Sequence, residues 1–232
     1  MPTRSRSRPQ QQRAREMRRR LLESALTLVA RRGADTLTTQ AVADAAHVSI
    51  GTVYRYFPDR EAIIAELVDE AARDISFELV HGGSRALDED VDAAALTVVD
   101  TLTSAYEKHA AILQAALTSS AFDLPPYLNH TAMDEIERSL LPLASAIPGR
   151  ARPELSPAEL NDLVFVTMGV TSSACLRIAL QRPAGSDRDA MVALTARMIV
   201  AALTPAVAPR SETPPQSETP PQSETPPQSE TM

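Results

Sequence analysis

The chain has 232 residues, 44% of them apolar and only 7 of them glycine, which suits a packed and mostly helical protein of one large domain or two small ones. Its single cysteine, Cys175, excludes an internal disulfide and a multi-thiolate zinc site, and its apolar surroundings predict a small buried hydrophobe. The net charge of −7 hides a division: residues 1–60 carry twelve arginines and no lysine against five acids, while the rest carries eleven bases against twenty-five acids, so a basic head on an acidic body points to local phosphate binding and argues against broad coating of DNA.

Residues 1–12, with Arg4, Arg6 and Arg8, are polar and basic and read as a disordered arm. They lack the apolar run of a signal peptide, so a cytoplasmic protein is expected. A helix is predicted from about Arg13, because Met17, Leu21, Leu22, Ala25, Leu28 and Val29 recur at helical spacing up to Arg31, Arg32 and the stop at Gly33. A short helix follows at about Gln40–Ala46, capped by Thr38 or Thr39, and another at about Ile50–Phe57, capped by Ser49 and ended by Pro58. Asp59 opens a long segment whose stripe Ile63, Ile64, Leu67, Val68, Ala71, Ile75 and Leu79 is closed by Gly82-Gly83.

Further helices are predicted at about Glu89–Glu107, Ala110–Ser120 and Tyr127–Ala146, with Pro142 a candidate kink. Ser156-Pro157-Ala158-Glu159 is a start signal, with serine as cap, proline in the first turn and glutamate closing a capping box. That helix runs to about Gln181. Its apolar run Leu163–Leu180 is broken by Thr167, Thr171, Ser172, Ser173 and Arg177, so it reads as a buried helix and no membrane partner is expected. Ser186 is expected to cap a last helix from Asp187 to about Leu203. Residues 205–232, with the hexapeptide SETPPQ three times over, read as an extended, disordered tail.

Between Arg19 and Ala71, two short capped helices meet at Ala46-His47-Val48-Ser49 with a longer helix on either side, the plan of a helix-turn-helix. The stretch RRRLLESALTLVARRGADTLTTQAVADAAHVSIGTVYRYFPDREAII resembles the TetR family of repressors in its glycine after the first helix, its turn pattern A-x-V-S, its G-T-V-Y-R-Y-F and its D-R-E. The match covers a fifth to a quarter of the chain. His47 stands where the family usually has glycine, which suggests a left-handed turn residue. Arg60 stands where the family usually has a lysine that touches phosphate.

The resemblance implies an all-α protein of about nine helices: a three-helix reader (13–58), a connecting helix (59–81) and a ligand-binding and dimerisation domain (82–204). It implies that Thr39, Ser49, Thr52, Tyr54, Tyr56 and Arg60 hold the DNA backbone. Gln40, Ile50, Gly51 and Arg55 would face base edges; Arg55 can pair with guanine, Gln40 with adenine, and Ile50 can meet a thymine methyl. The arm arginines, with Arg13 and Arg15, would follow the minor groove.

It further implies a homodimer through the last two helices, a palindromic double-stranded operator, and release by an apolar small-molecule effector. Candidate lining residues for that effector are Tyr106, His109, Leu113, Leu117, Phe122, Met133, Phe165, Met168 and Ser172, few of them polar. No cofactor, metal site or catalytic residue is expected, because the four histidines are dispersed and no phosphate loop or H-E-x-x-H is present. The competing readings are a ligand-insensitive or architectural DNA binder, an enzyme, and an all-helical interaction module.

Overall fold

The computed structural model describes residues 7–118, 141 and 144–204, and the side chains of residues 7–10, 34 and 118 are left aside. The predicted helix at about Tyr127–Ala146 lies largely outside these residues, as do Pro142 and the tail 205–232. Among the described residues every regular element is helical. In chain order they are α1 (Ser7–Arg32), a 3-10 turn (Ala34–Thr36), α2 (Thr39–Ala45), α3 (Ile50–Tyr56), α4 (Arg60–Ala86), α5 (Val91–Lys108) and α6 (Ala110–Thr118). Then come α7 (residues 144–151), α8 (Pro157–Gln181) and α9 (Arg188–Leu203).

Local chemistry accounts for most of the ends. Thr38, not Thr39, caps α2 by accepting from the amide of Ala41 at 3.0 Å. Asp59 caps α4 through the amide of Ala62 at 2.7 Å, and Asp90 caps α5 through the amide of Ala93 at 2.9 Å. The capping box at α8 is complete: the amide of Ser156 donates to Glu159 Oε2 at 2.9 Å, and the amide of Glu159 donates to Ser156 Oγ at 3.4 Å. Gly33 has φ 82°, and its amide returns to the carbonyl of Val29 to close α1.

Three boundaries differ from expectation. Helix α1 begins at Ser7 rather than near Arg13, so Arg8, Arg13 and Arg15 lie on a helix instead of an arm. Pro9 is in the first turn, where its missing N–H costs no hydrogen bond, and the glutamines and arginines after it are good helix formers. Gly82-Gly83 does not close α4, which continues to Ala86 with both glycines buried. A Cβ on Gly82 would stand 2.8 Å from Thr101 Cγ2 and Oγ1, so the glycine permits α4 and α5 to approach closely. The cap of α9 is Asp187 rather than Ser186; its carboxylate reaches the amides of Asp189 and Ala190 at 2.9 and 3.3 Å.

Helix α4 links a head core to a body core. Its first half joins Leu21, Leu22, Ala25, Val29, Leu37, Val42, Val53 and Phe57 through Ile63, Ile64, Leu67 and Val68. Helix α6 adds Ile112, Ala115 and Ala116 to that head core, against α1 and α4. Further along, Ile75 and Leu79 join a body core with Val99, Leu102, Tyr106, Cys175 and Val192 from α5, α8 and α9. Burial pushes the Cys175 thiol up to about 11, which agrees with an inert core position. Arg150 on α7 donates to the carbonyls of Glu89 and Ala86 at 3.3 and 3.5 Å, bracing the α4–α5 corner.

Candidate nucleic-acid interface

The turn between α2 and α3 is built from backbone chemistry. His47 takes φ 52°, the left-handed conformation expected of it, while the amide of Val48 donates to the carbonyl of Ala43 at 3.0 Å. Ser49 then caps α3: its Oγ accepts from the amide of Thr52 at 3.2 Å and lies 2.9 Å from Thr52 Oγ1. One side of α3 is anchored by Val53 and by its C-cap Phe57, both buried in the head core.

The opposite side faces outward. Tyr54 is 54% exposed despite its size, and Gly51 and Arg55 are exposed beside it. Ile50, Thr52 and Tyr56 are half-buried, so each shows part of its side chain. From α2, half-buried Thr39 donates from its Oγ1 to the Tyr54 hydroxyl at 3.4 Å, drawing the two helices' candidates together. Gln40 is exposed and donates to Asp44 Oδ1 at 2.8 Å. Arg60 stands at the start of α4, half-buried, 3.4 Å from Glu61 Oε1. A surface of hydroxyls, an amide and guanidinium groups around a bare glycine can donate to phosphate oxygens and to base edges. Arg20 escapes sequence reasoning: it donates to the carbonyl of Ala46 and so steadies the turn from α1. Twenty-six residues separate the partners, and no local pattern marks them.

Residues 21–67 match the family profile described as bacterial regulatory proteins, tetR family. The N-terminal head of this chain is thus similar to the DNA-binding region of the TetR family. The chain is 41% identical over 46 residues to the HTH-type transcriptional repressor KstR of Mycobacterium tuberculosis, covering 20% of this chain and 21% of that protein. The match thus spans about a fifth of that curated relative's length. The fold is similar to a crystal structure of a tetR-family transcriptional regulator from Streptomyces coelicolor. There the TM-score is 0.58 and the identity 21%, with 81% of this chain and 80% of that one covered. It is also similar to the transcriptional regulator FadR of Bacillus subtilis in complex with stearoyl-CoA, with TM-score 0.57, 15% identity, and 79% and 97% covered.

Behind this TetR-like head, the residues nominated for an effector divide. Tyr106 and Ser172 come together across α5 and α8, their hydroxyls 2.7 Å apart. Leu113, Met168 and His109 are half-buried, and burial holds the His109 imidazole below its usual range. Phe165 points away, 75% exposed, and Leu117 is exposed as well. Phe122 and Met133 lie outside the described residues. A groove of about 260 Å³ opens elsewhere, between α5 and α9, lined by Asp92, Ala93, Leu96, Ala193, Ala196, Arg197 and Val200.

Phe165 belongs to a face of α8 that a single chain leaves uncovered. By length and composition alone α8 is long and apolar enough to cross a membrane, and 28% of its most apolar window is buried within the chain. Within this chain it packs on α5 and α9 through Val164, Thr167, Thr171, Cys175 and Ile178. Phe165, Val166 and Val170 on α8, with Leu194 and Met198 on α9, remain bare.

Proposed function

We propose that this protein is a sequence-specific transcriptional regulator of the repressor type, which binds a palindromic operator as a homodimer and is released by an apolar small molecule. The observation that carries the reading is the outward face of α3, where Tyr54, Arg55 and Gly51 stand exposed with Thr39 and Gln40 beside them. An exposed tyrosine on a helix that buries Val53 and Phe57 is wasted on packing, and a hydroxyl at that place suits a phosphate.

The bare apolar residues of α8 and α9 support dimerisation. Two such faces related by a two-fold axis cover each other as a four-helix bundle, and the same axis presents two reading helices to a palindrome. Residues 13–58 then read DNA, α4 connects, and the helices to residue 204 sense and dimerise. The Tyr106–Ser172 pair is the polar anchor we assign to the effector site. The similar fold of B. subtilis FadR, which was crystallised in complex with stearoyl-CoA, supports an effector with a long apolar portion.

Selection of bound duplexes from a random pool by the purified protein, at moderate salt, tests the reading. A palindromic site that Tyr54→Ala abolishes supports it. Weak binding that salt removes equally from all sequences would favour an architectural DNA binder instead.

A further inference from the structure

We infer that Arg18 is a positioning residue for DNA reading: from α1 it locks the end of α3 to α4 through Glu66 and the carbonyl of Tyr56, without touching DNA itself. The inference rests on the DNA-reading function proposed above.

One guanidinium makes all of the contacts. Arg18 Nε donates to Glu66 Oε1 at 2.6 Å, and Nη2 donates to Glu66 Oε2, so the pair is a two-point fork. Nη1 donates to the carbonyl of Tyr56 at 3.3 Å. The Arg18 Cζ atom stands 4.7 Å from the centre of the Phe57 ring, a cation–π contact. The last residue of α3, its C-cap and the second turn of α4 therefore meet on a single side chain of α1.

The end of α3 needs such a partner. The last carbonyls of a helix find no donor inside it. Beyond Tyr56 the chain is extended at Phe57 (φ −137°, ψ 117°), and Pro58 has no N–H to return. Arg18 supplies the donor that the following residues do not. A helix of seven residues is also too short to be rigid by itself. Arg20 steadies the turn before α3 and Arg18 fixes its end, so α1 grips the reading helix at both places.

The stakes lie in which residues occupy the gripped turn. Tyr54, Arg55 and Tyr56 are the last three residues of α3. A guanidinium that reads a base needs placement within a fraction of an ångström, and a phosphate contact tolerates more. Loosening the end of α3 therefore costs specificity before it costs general affinity. Lysine cannot replace Arg18, because an ammonium is a point charge that cannot present a fork to two carboxylate oxygens while also reaching a carbonyl and a ring face.

The test compares wild type, Arg18→Lys and Glu66→Gln as full chains, each checked as folded at the assay temperature. Affinity is measured for the selected operator and for random duplex of equal length, across a salt series. Both variants are expected to lower the ratio of specific to random affinity by about tenfold or more, the scale of a lost charge-assisted hydrogen bond. Glu66→Gln is expected to keep the wild-type salt slope, since no cation is removed. Three outcomes overturn the inference. If Arg18→Lys, which keeps the charge, behaves as wild type while Glu66→Gln tightens both DNAs and steepens the slope, Arg18 is itself a phosphate contact. If both variants melt earlier with the affinity ratio unchanged, the cluster serves stability alone. A wild-type chain that prefers no sequence removes the reading function itself, and the lock with it.

Discussion

His47 holds its backbone at φ 52°, where an L side chain is crowded and a β-branched one more so. His47→Val is expected to lower stability by about 1–2 kcal/mol, and His47→Gly to stay within about 1 kcal/mol of the parent, by chemical denaturation. His109 makes a different demand at the same scale. Its Nε2 lies 3.7 Å from Asp74 Oδ2, beyond hydrogen-bond reach, and burial holds its pKa down against the pull of Asp74 and Glu78 and with the push of Lys108. The folded chain thus keeps a neutral imidazole at a pH where the unfolded chain has begun to take up a proton. The contribution to stability is whole above the ordinary imidazole value, about 6.5, and is lost as pH falls from there through the folded value. Melting curves from about pH 8 to about pH 5 should fall less steeply for His109→Asn than for wild type; parallel curves would refute a depressed imidazole.

Between elements, the closest approach is at Gly82, where Thr101 leaves no room for a methyl. Gly82→Ala is expected to cost about 1–3 kcal/mol by overpacking, despite the better helix propensity of alanine. Thr101→Ala in the same chain should recover most of that loss, and a double-mutant cycle measures the coupling. The pair also marks where sequence reading ends. Caps at Ser49, Asp59 and Ser156 are legible because donor and acceptor lie within three residues of each other. Gly82 reads wrongly as a stop because its reason for being glycine sits nineteen positions away on another helix. The outward residues of α3 are legible from the helix-turn-helix pattern, and their union through Thr39 and Tyr54 follows from it. Arg18 and Arg20 are not, since their partners lie 26 to 48 residues along the chain.

At the scale of the whole molecule, the chain leaves Phe165, Val166 and Val170 of α8 and Leu194 and Met198 of α9 in water. Scattered single hydrophobes are ordinary on a surface; five on two adjacent helices, with exposed Gly169 and Ser173 among them, make a contiguous face. Gly169 has nothing within 4 Å of where a Cβ would stand, so its lack of a side chain answers no crowding inside the subunit. A helix from a second copy could approach closely there. In the proposed dimer a two-fold axis places each of these residues in the interface twice, so one charge introduced per subunit buries two unpaired charges. Phe165→Glu is therefore expected to yield a monomer by sedimentation, with a melting point close to that of a folded single subunit, because the site is exposed within the chain. On DNA the same variant should lose the advantage of two linked heads: its affinity for the palindrome should fall to that for a single half-site, while its preference for the half-site sequence persists, since α3 and its supports are untouched. A Phe165→Glu protein that remains dimeric and still grips the palindrome would show that the subunits meet elsewhere.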